Sequence, residues 1–486
     1  MARTSKDKDR RHRAASSAKP AAAARGTSDP SPPQTAPVRD RQAAGRALAK
    51  RAPLKENASW RAALRQHDPI DLLIESSKGR IEQLIPIRYG RMAANPFAFF
   101  RGSAAVMAAD LSRMPRSGVQ LQACGDCHAV NFGGFATPER RVVFDINDFD
   151  ETSIAPWEWD VRRLAASFVL AGRYRNFSRE DARECAWRAA RAYRKRMARY
   201  AEMPILEAWY DSFDLEELIE AAGSDAVKKK QRQKIKEGME NSGHAIEFEK
   251  LAVRSRPEPR IRDQLPLIFH VDDERGPGFR KDVEESFRRY KESVLPSVAT
   301  LLDRYRLVDM AMKVVGVGSV GTLCSTVLLM SGSGDPLFLQ VKEARRSVLE
   351  PYAGASPVAH HGERVVRGQR LMQSASDMFL GWLTGAGEGH PALYVRQLND
   401  VKVKPQIELA VPEGTKVYAR YTGMALARAH SRSGDAVLLS AYMGESDAFE
   451  DAMADFAAAY ADQAERDHEA MIAAVRAGRI EMRSEA

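Results

Sequence analysis

The segment Gly125-Asp126-Cys127-His128-Ala129-Val130-Asn131 sets a carboxylate five residues ahead of an amide, in a polar, glycine-containing stretch that reads as a loop. A carboxylate there can orient an acceptor hydroxyl. The Asn131 amide oxygen can share a hard cation with Asp148 once the chain folds back. Asp145, Asp148, Asp150 and Glu151 crowd one short segment, and such crowding costs repulsion unless water, a cation or arginine compensates. Much later comes Gly316-Val-Gly-Ser-Val-Gly321, in which Gly316, Gly318, Ser319 and Gly321 allow tight turning and close backbone approach to phosphate oxygens. Lys342 follows at the end of LFLQVK, on the face of Phe338 and Gln340; Glu343 points the other way, so Glu363 is its expected partner. Taken together these groups predict phosphoryl transfer with ATP and Mg²⁺. Taken singly each is bland: a lone turn aspartate is usually a cap, and a lone lysine is usually on the surface.

Other reactive side chains read more quietly. Cys124 and Cys127 make one CxxC with no second to complete a zinc site, so packing of the loop walls is expected of them. His128 is expected to fix the loop, Arg101 to make a salt bridge or touch phosphate, and Asp160 to cap a helix. His430 has no assigned role.

Several elements must position these groups. Residues 53–94 look helical, with a second segment near Ile81, Leu84 and Ile85 that Pro86 ends, and PFAFFRG (96–102) is an aromatic anchor. VQLQAC predicts a strand into the GDCHAVNFGGF loop, and RVVFDIND a strand whose Val142, Phe144 and Ile146 share one face, with Asp148 at its end on the same side. A helix with the stripe Val161, Leu164, Ala165 and Phe168 follows. Residues 313–344 read as three antiparallel strands. In a dinucleotide fold the glycine string would open a helix, but here β-branched residues flank it on both sides. Helices are expected over 363–383, 423–430 and 447–471, with a strand at 394–398.

The chain has 486 residues, 44% hydrophobic and 29% charged, as in globular proteins. Its net charge of +9 derives from the first 52 residues, an Ala/Arg/Pro-rich tail expected to be disordered and lacking the apolar core of an export signal. Lys228 to Lys234 is basic without interleaved aromatics, so no strong nucleic-acid signal is present. No apolar run spans a bilayer. These features predict a cytoplasmic protein of undetermined oligomeric state.

The ordered blocks PIRYGRM, PFAFFRG, GDCHAVNFG, DINDFDE, WEWDVRRLAAS, VGVGSVGT, QVKEA and YVRQLNDVK together resemble the bacterial domain-of-unknown-function family 2252 over about residues 60–475. That family is thought to be related to the protein kinase-like superfamily, in its aminoglycoside and choline phosphotransferase branch. The resemblance implies that Asp126 matches the catalytic aspartate, Asn131 and Asp148 the metal-binding pair, Asp160 a structural aspartate, and the glycine block with Lys342 the phosphate loop and nucleotide lysine. Cys124 stands where histidine is common, and Asp150 replaces the last glycine of a DFG-like element. Because the glycine block follows the GDxHxxN loop, the implied fold is α+β, two-lobed and kinase-like in circularly permuted order, with a small antiparallel-sheet lobe and a large helical lobe. The boundaries that follow are a tail to 52, a large lobe over 53–304, a small nucleotide-binding lobe over 305–402, the large lobe again over 403–475, and a C-terminal tail over 476–486. The expected partners are a nucleotide and an unknown hydroxyl-bearing acceptor; the alternatives are an inactive nucleotide-binding protein or nucleotidyl transfer on the same fold.

Overall fold

After Pro115 short apolar segments bounded by turn residues form small sheets, and longer helical stretches lie between them. The computed structural model describes residues 32–483, apart from residues 59, 223–224, 241–243, 256–257, 266, 271–277, 315, 317, 319, 386–388 and 399–401. The fold is mixed α+β, with several small sheets and many helices.

In the first half, β1 (Gln120–Ala123) pairs antiparallel with β4 (Ser153–Pro156), and β2 (Phe132–Ala136) with β3 (Val142–Ile146). The β2–β3 hairpin is widened by β5 (Phe213–Asp214) and, from far along the chain, by β12 (Lys402–Val403). The Phe-Gly-Gly-Phe stretch expected as loop is thus a strand. Its glycines serve close packing: a Cβ on Gly133 would lie 2.4 Å from the Val403 carbonyl oxygen.

The second sheet has six strands. β7 (Tyr305–Lys313), β8 (Cys324–Ser331) and β9 (Pro336–Glu343) form the expected meander, continued through β11 (Ala392–Gln397) to β10 (Gly381–Thr384), while β6 (Ile268–Phe269) adds to the far edge. Helical residues Tyr290, Val298 and Leu302 pack with Val327, Leu329 and Leu339 of this sheet. A boundary at residue 305 therefore cuts the sheet from the helices that bury its face. Burying each large apolar side chain contributes about 1.5–3 kcal/mol.

The helices correct the sequence reading at their ends. α1 (Val38–Arg51) belongs to the stretch expected as disordered tail, yet its Gly45 and Leu48 are buried. Residues 1–31 lie outside the described residues. α2 (Ile85–Ala93) begins with Pro86 in its first turn instead of ending there, because a missing N–H costs nothing where no helical acceptor exists. α3 (Pro96–Gly102) is capped by Asn95, whose side chain accepts from the Ala98 N–H. α4 (Trp157–Tyr174) is buried from Trp157 to Gly172, charged residues included, and lies against α5 (Arg179–Glu202). α6 (His361–Met372) ends well before Leu383 because β10 begins at Gly381. α7 (Pro412–Ser431), α8 (Ala436–Met443) and α9 (Ala448–Arg476) complete the helical part.

Candidate functional site

The polar loop between β1 and β2 is fixed first by its backbone. Gly125 has φ 86°, and a Cβ there would come within 2.4 Å of the Glu151 carbonyl oxygen, so glycine is needed on both counts. Asp160 sits in the first turn of α4, past the cap expected for it, and turns back to the loop. Its Oδ2 accepts from the Cys124 N–H at 2.7 Å and its Oδ1 from the Gly125 N–H at 3.0 Å. His430 Nε2 lies 3.1 Å from the same carboxylate, and Tyr193 Oη lies 2.9 Å from His430 Nδ1. A carboxylate only accepts, so Nε2 carries the hydrogen and Tyr193 donates to Nδ1. Asp160 and His430 are thereby structural.

Asp126 is clamped by Arg163 of α4, whose Nε and Nη2 both reach Oδ1, at 2.7 and 2.5 Å. Oδ2 faces His128, with Nε2 at 3.7 Å. Asn131 donates its amide N–H to the Asp126 carbonyl at 2.7 Å, which leaves its amide oxygen as the side-chain acceptor. Burial raises the Asp126 carboxyl despite Arg163 and Arg101, and Asp150 adds to the rise. Burial holds His128 neutral, reinforced by Arg163 and Arg101.

The second acidic segment meets the six-stranded sheet. Lys342, 3% exposed on β9, donates to Asp150 Oδ2 at 2.6 Å, and Tyr394 of β11, in register with Lys342, donates to Oδ1. Glu363, expected as the lysine's partner, instead pairs with Arg367 one turn along α6 at 2.5 Å. Its neighbour Arg364 is the residue that reaches the acidic segment, donating to the Asp150 carbonyl at 2.9 Å and to the Thr152 carbonyl. Burial alone would raise the Asp150 carboxyl, but Lys342 and Tyr394 bring it down to about 2. Asp148 moves the other way: burial and then Asp150 raise it, against Lys342 and Arg396. Burial disfavours the Lys342 ammonium, yet Asp150, Tyr394 and Asp148 more than offset this and keep it charged.

Asp126, Asn131, Asp148 and Lys342 are therefore brought to one cluster, with Asp150 as the group common to both halves. The glycine turn is held on its carbonyl side: Arg80 donates to Gly318 and Val320 at 2.9 and 2.6 Å, Arg91 to Gly316 at 2.5 Å, and the Ile81 N–H to Gly321 at 2.7 Å. Ser319 lies outside the described residues. A cleft opens beside this cluster, between the β2–β3 turn and the end of α6. It shares Asn147 and Arg396 with the cluster's surroundings, but none of Asp126, Asn131, Asp148 or Lys342 lines it.

Sequence reasoning missed Arg163, Tyr394, Arg396 and Lys404. Three had a signal: Arg163 is three residues past Asp160 and so on the same helical side, and Tyr394 and Arg396 alternate along one strand. The cysteines pack as expected. All four are buried and free. The sulfurs of Cys124 and Cys127 lie within 4.8 Å of each other and of an Asp160 oxygen. Burial raises both thiols, Cys127 to about 11, and Asp160 already accepts from two backbone amides.

No helix among the described residues is long and apolar enough to cross a membrane. A family model described as an uncharacterized protein conserved in bacteria, DUF2252, matches residues 80–474, and the chain belongs to that family. No curated protein and no solved structure matches it.

Proposed function

We propose that this DUF2252 member is an ATP- and Mg²⁺-dependent phosphotransferase acting on a hydroxyl group, built on a two-lobed, kinase-like plan in permuted chain order. One observation carries the reading: the lysine of the strand after the glycine turn meets the acidic segment of the β3 end, across 192 residues. That contact joins the lysine strand to the acidic segment after the GDxHxxN loop, and it supports reading these groups as parts of a phosphoryl-transfer site.

In this reading Asp126 Oδ2, the oxygen that Arg163 leaves open, accepts the hydrogen bond of the acceptor hydroxyl and then its proton as the new P–O bond forms and the bond to the leaving nucleoside diphosphate breaks. Arg163 fixes the carboxylate's direction. The Asn131 amide oxygen and Asp148 are the oxygen ligands for Mg²⁺, which when bound neutralises charge on the phosphates. The raised Asp148 carboxyl fits a group that awaits a cation. Lys342, oriented by Asp150 and Tyr394, restrains the phosphates beneath the glycine turn.

A second reading has one specific support. Arg163 on Asp126 and Asp150 on Lys342 are also the contacts of a site that binds nucleotide without turning it over. Titration of the full chain with a non-hydrolysable ATP analogue, with and without Mg²⁺, tests the shared premise. Heat of binding that requires the metal is expected; its absence would sink both readings. Asp126→Asn separates them: ATP consumption should fall about 10²–10⁴-fold while the unfolding midpoint is largely kept. Equal consumption in variant and wild type assigns the inactive reading.

A further inference from the structure

A turn with three glycines in six residues, Gly316, Gly318 and Gly321, has wide conformational freedom of its own. It must be ordered either by its ligand or by the rest of the chain. Here an arm of residues 76–91 meets it, and Arg80, 238 residues ahead of Gly318, is the centre of the contact. Its Nη1 donates to the Gly318 and Val320 carbonyls at 2.9 and 2.6 Å, and its Nε to the Ser76 carbonyl at 3.1 Å, which aims the guanidinium from its own side. Beside it the Ile81 N–H donates to the Gly321 carbonyl at 2.7 Å.

The two stretches meet at backbone distance. Gly321 has φ 83°, and a Cβ there would lie 3.1 Å from the Arg80 Cβ. Val320 adds an apolar anchor, fully buried with Leu84 and Ile87. In a trans peptide the N–H opposes the carbonyl, so with the Val320 and Gly321 carbonyls on the arm, the Gly321 and Thr322 N–H groups point away from it. Backbone N–H groups are what such a turn offers a phosphate. The charge of Arg80 also stays uncompensated by any direct carboxylate contact. All three of its acceptors are carbonyl oxygens, and among the described residues it forms no ion pair. Burial, Arg88 and Arg345 press it down to about 9, against Glu151 and Glu343. An anion approaching the turn relieves that excess of positive charge.

We infer that Arg80 is a positioning residue for polyphosphate: it holds the glycine turn in its phosphate-receiving form before the nucleotide arrives. The inference rests on the nucleotide reading above and adds the residue that preforms the phosphate cover. A loose turn would bind more weakly, because binding would then have to remove the freedom of its glycines. Since the hydrogen bonds of Arg80 go to the carbonyl side of the turn, it acts through the turn.

The test pairs two measurements on the full chain, for wild type, Arg80→Ala and Arg80→Lys: calorimetric titration with a non-hydrolysable ATP analogue and Mg²⁺, and hydrogen exchange at the Ile81 amide. In wild type without nucleotide this amide should exchange slowly. In Arg80→Ala it should exchange about tenfold faster, the analogue should bind roughly tenfold to a hundredfold more weakly at unchanged stoichiometry, and bound analogue should slow the amide again. Arg80→Lys keeps the charge and one donor, and should recover part of both. An Ile81 amide as slow in Arg80→Ala as in wild type overturns the inference. So does lower stoichiometry at unchanged affinity, which marks only loss of folded protein; either result leaves the proposed function standing. If Arg80→Ala does not fold, Arg80→Lys carries the same two readings, with expected changes of about threefold. An analogue that does not bind wild type overturns the proposed function and this inference with it.

Discussion

Asp145 and Asp160 differ from Asp126 and Asp148 in what surrounds them, although all four sit close together in the chain. Asp145 is fully buried; both its oxygens lie 2.8 Å from Arg428 Nη2, and Oδ2 also accepts from the Ser374 N–H and hydroxyl. Asp160 accepts from two backbone amides and His430. Asp126 and Asp148 are half-buried, raised by desolvation, and have an oxygen or a charge left for something outside the chain. A carboxylate whose acceptors are satisfied by the fold holds the fold; one taken partly out of water without full compensation is where a ligand gains most.

The comparison can be broken most forcefully at Asp160. Asp160→Ala strands two loop amides and His430, and should lower unfolding free energy by about 3–5 kcal/mol in a urea titration; a variant as stable as wild type would erase the distinction. Asp148→Asn should do the reverse, raising stability by about 1 kcal/mol through relief of burial and of repulsion from Asp150, while Mg²⁺-dependent nucleotide binding falls at least tenfold. A loss of both stability and binding would place Asp148 with the structural pair.

Acid unfolding sharpens the picture. Asp150 is depressed from 3.8 to about 2, so its pairing with Lys342 stabilises the fold above the unfolded value and loses that effect as pH falls through this window. The stability difference between wild type and Lys342→Met should shrink there, and a constant difference would contradict the pair. Asp148, being raised, works in the opposite sense: its charged form disfavours the fold, and protonation removes that penalty. The smallest effect is expected of Glu363→Ala. It breaks a one-turn helix pair with Arg367, so stability and nucleotide affinity should change by no more than about 0.5 kcal/mol; a large affinity loss would restore Glu363 as a partner of Lys342.

Much of this arrangement was legible where local pattern and packing agree. The meander of β7, β8 and β9 has clean alternation and glycine-marked turns, and Lys342 shares its buried face with Phe338 and Gln340 as parity requires. β2 was hidden because its two glycines look like loop until Val403 arrives to lie against them. α1 was hidden because arginine and alanine composition says nothing of the buried Gly45 and Leu48. Glu363 failed as a partner for a related reason: the neighbouring residue on α6 faces the site, and helix phase relative to a distant strand is set by tertiary packing.

The span between Lys342 and Asp150 also bears on how the chain is made. At about 5–20 residues per second, the ribosome releases the acidic segment on the order of ten to forty seconds before Lys342 follows, 192 residues later. Arg428, which neutralises Asp145, comes later still, 283 residues behind it. The nascent first half must therefore carry its aspartates hydrated until the second half emerges, and maturation of the acidic core is tied to completion of synthesis.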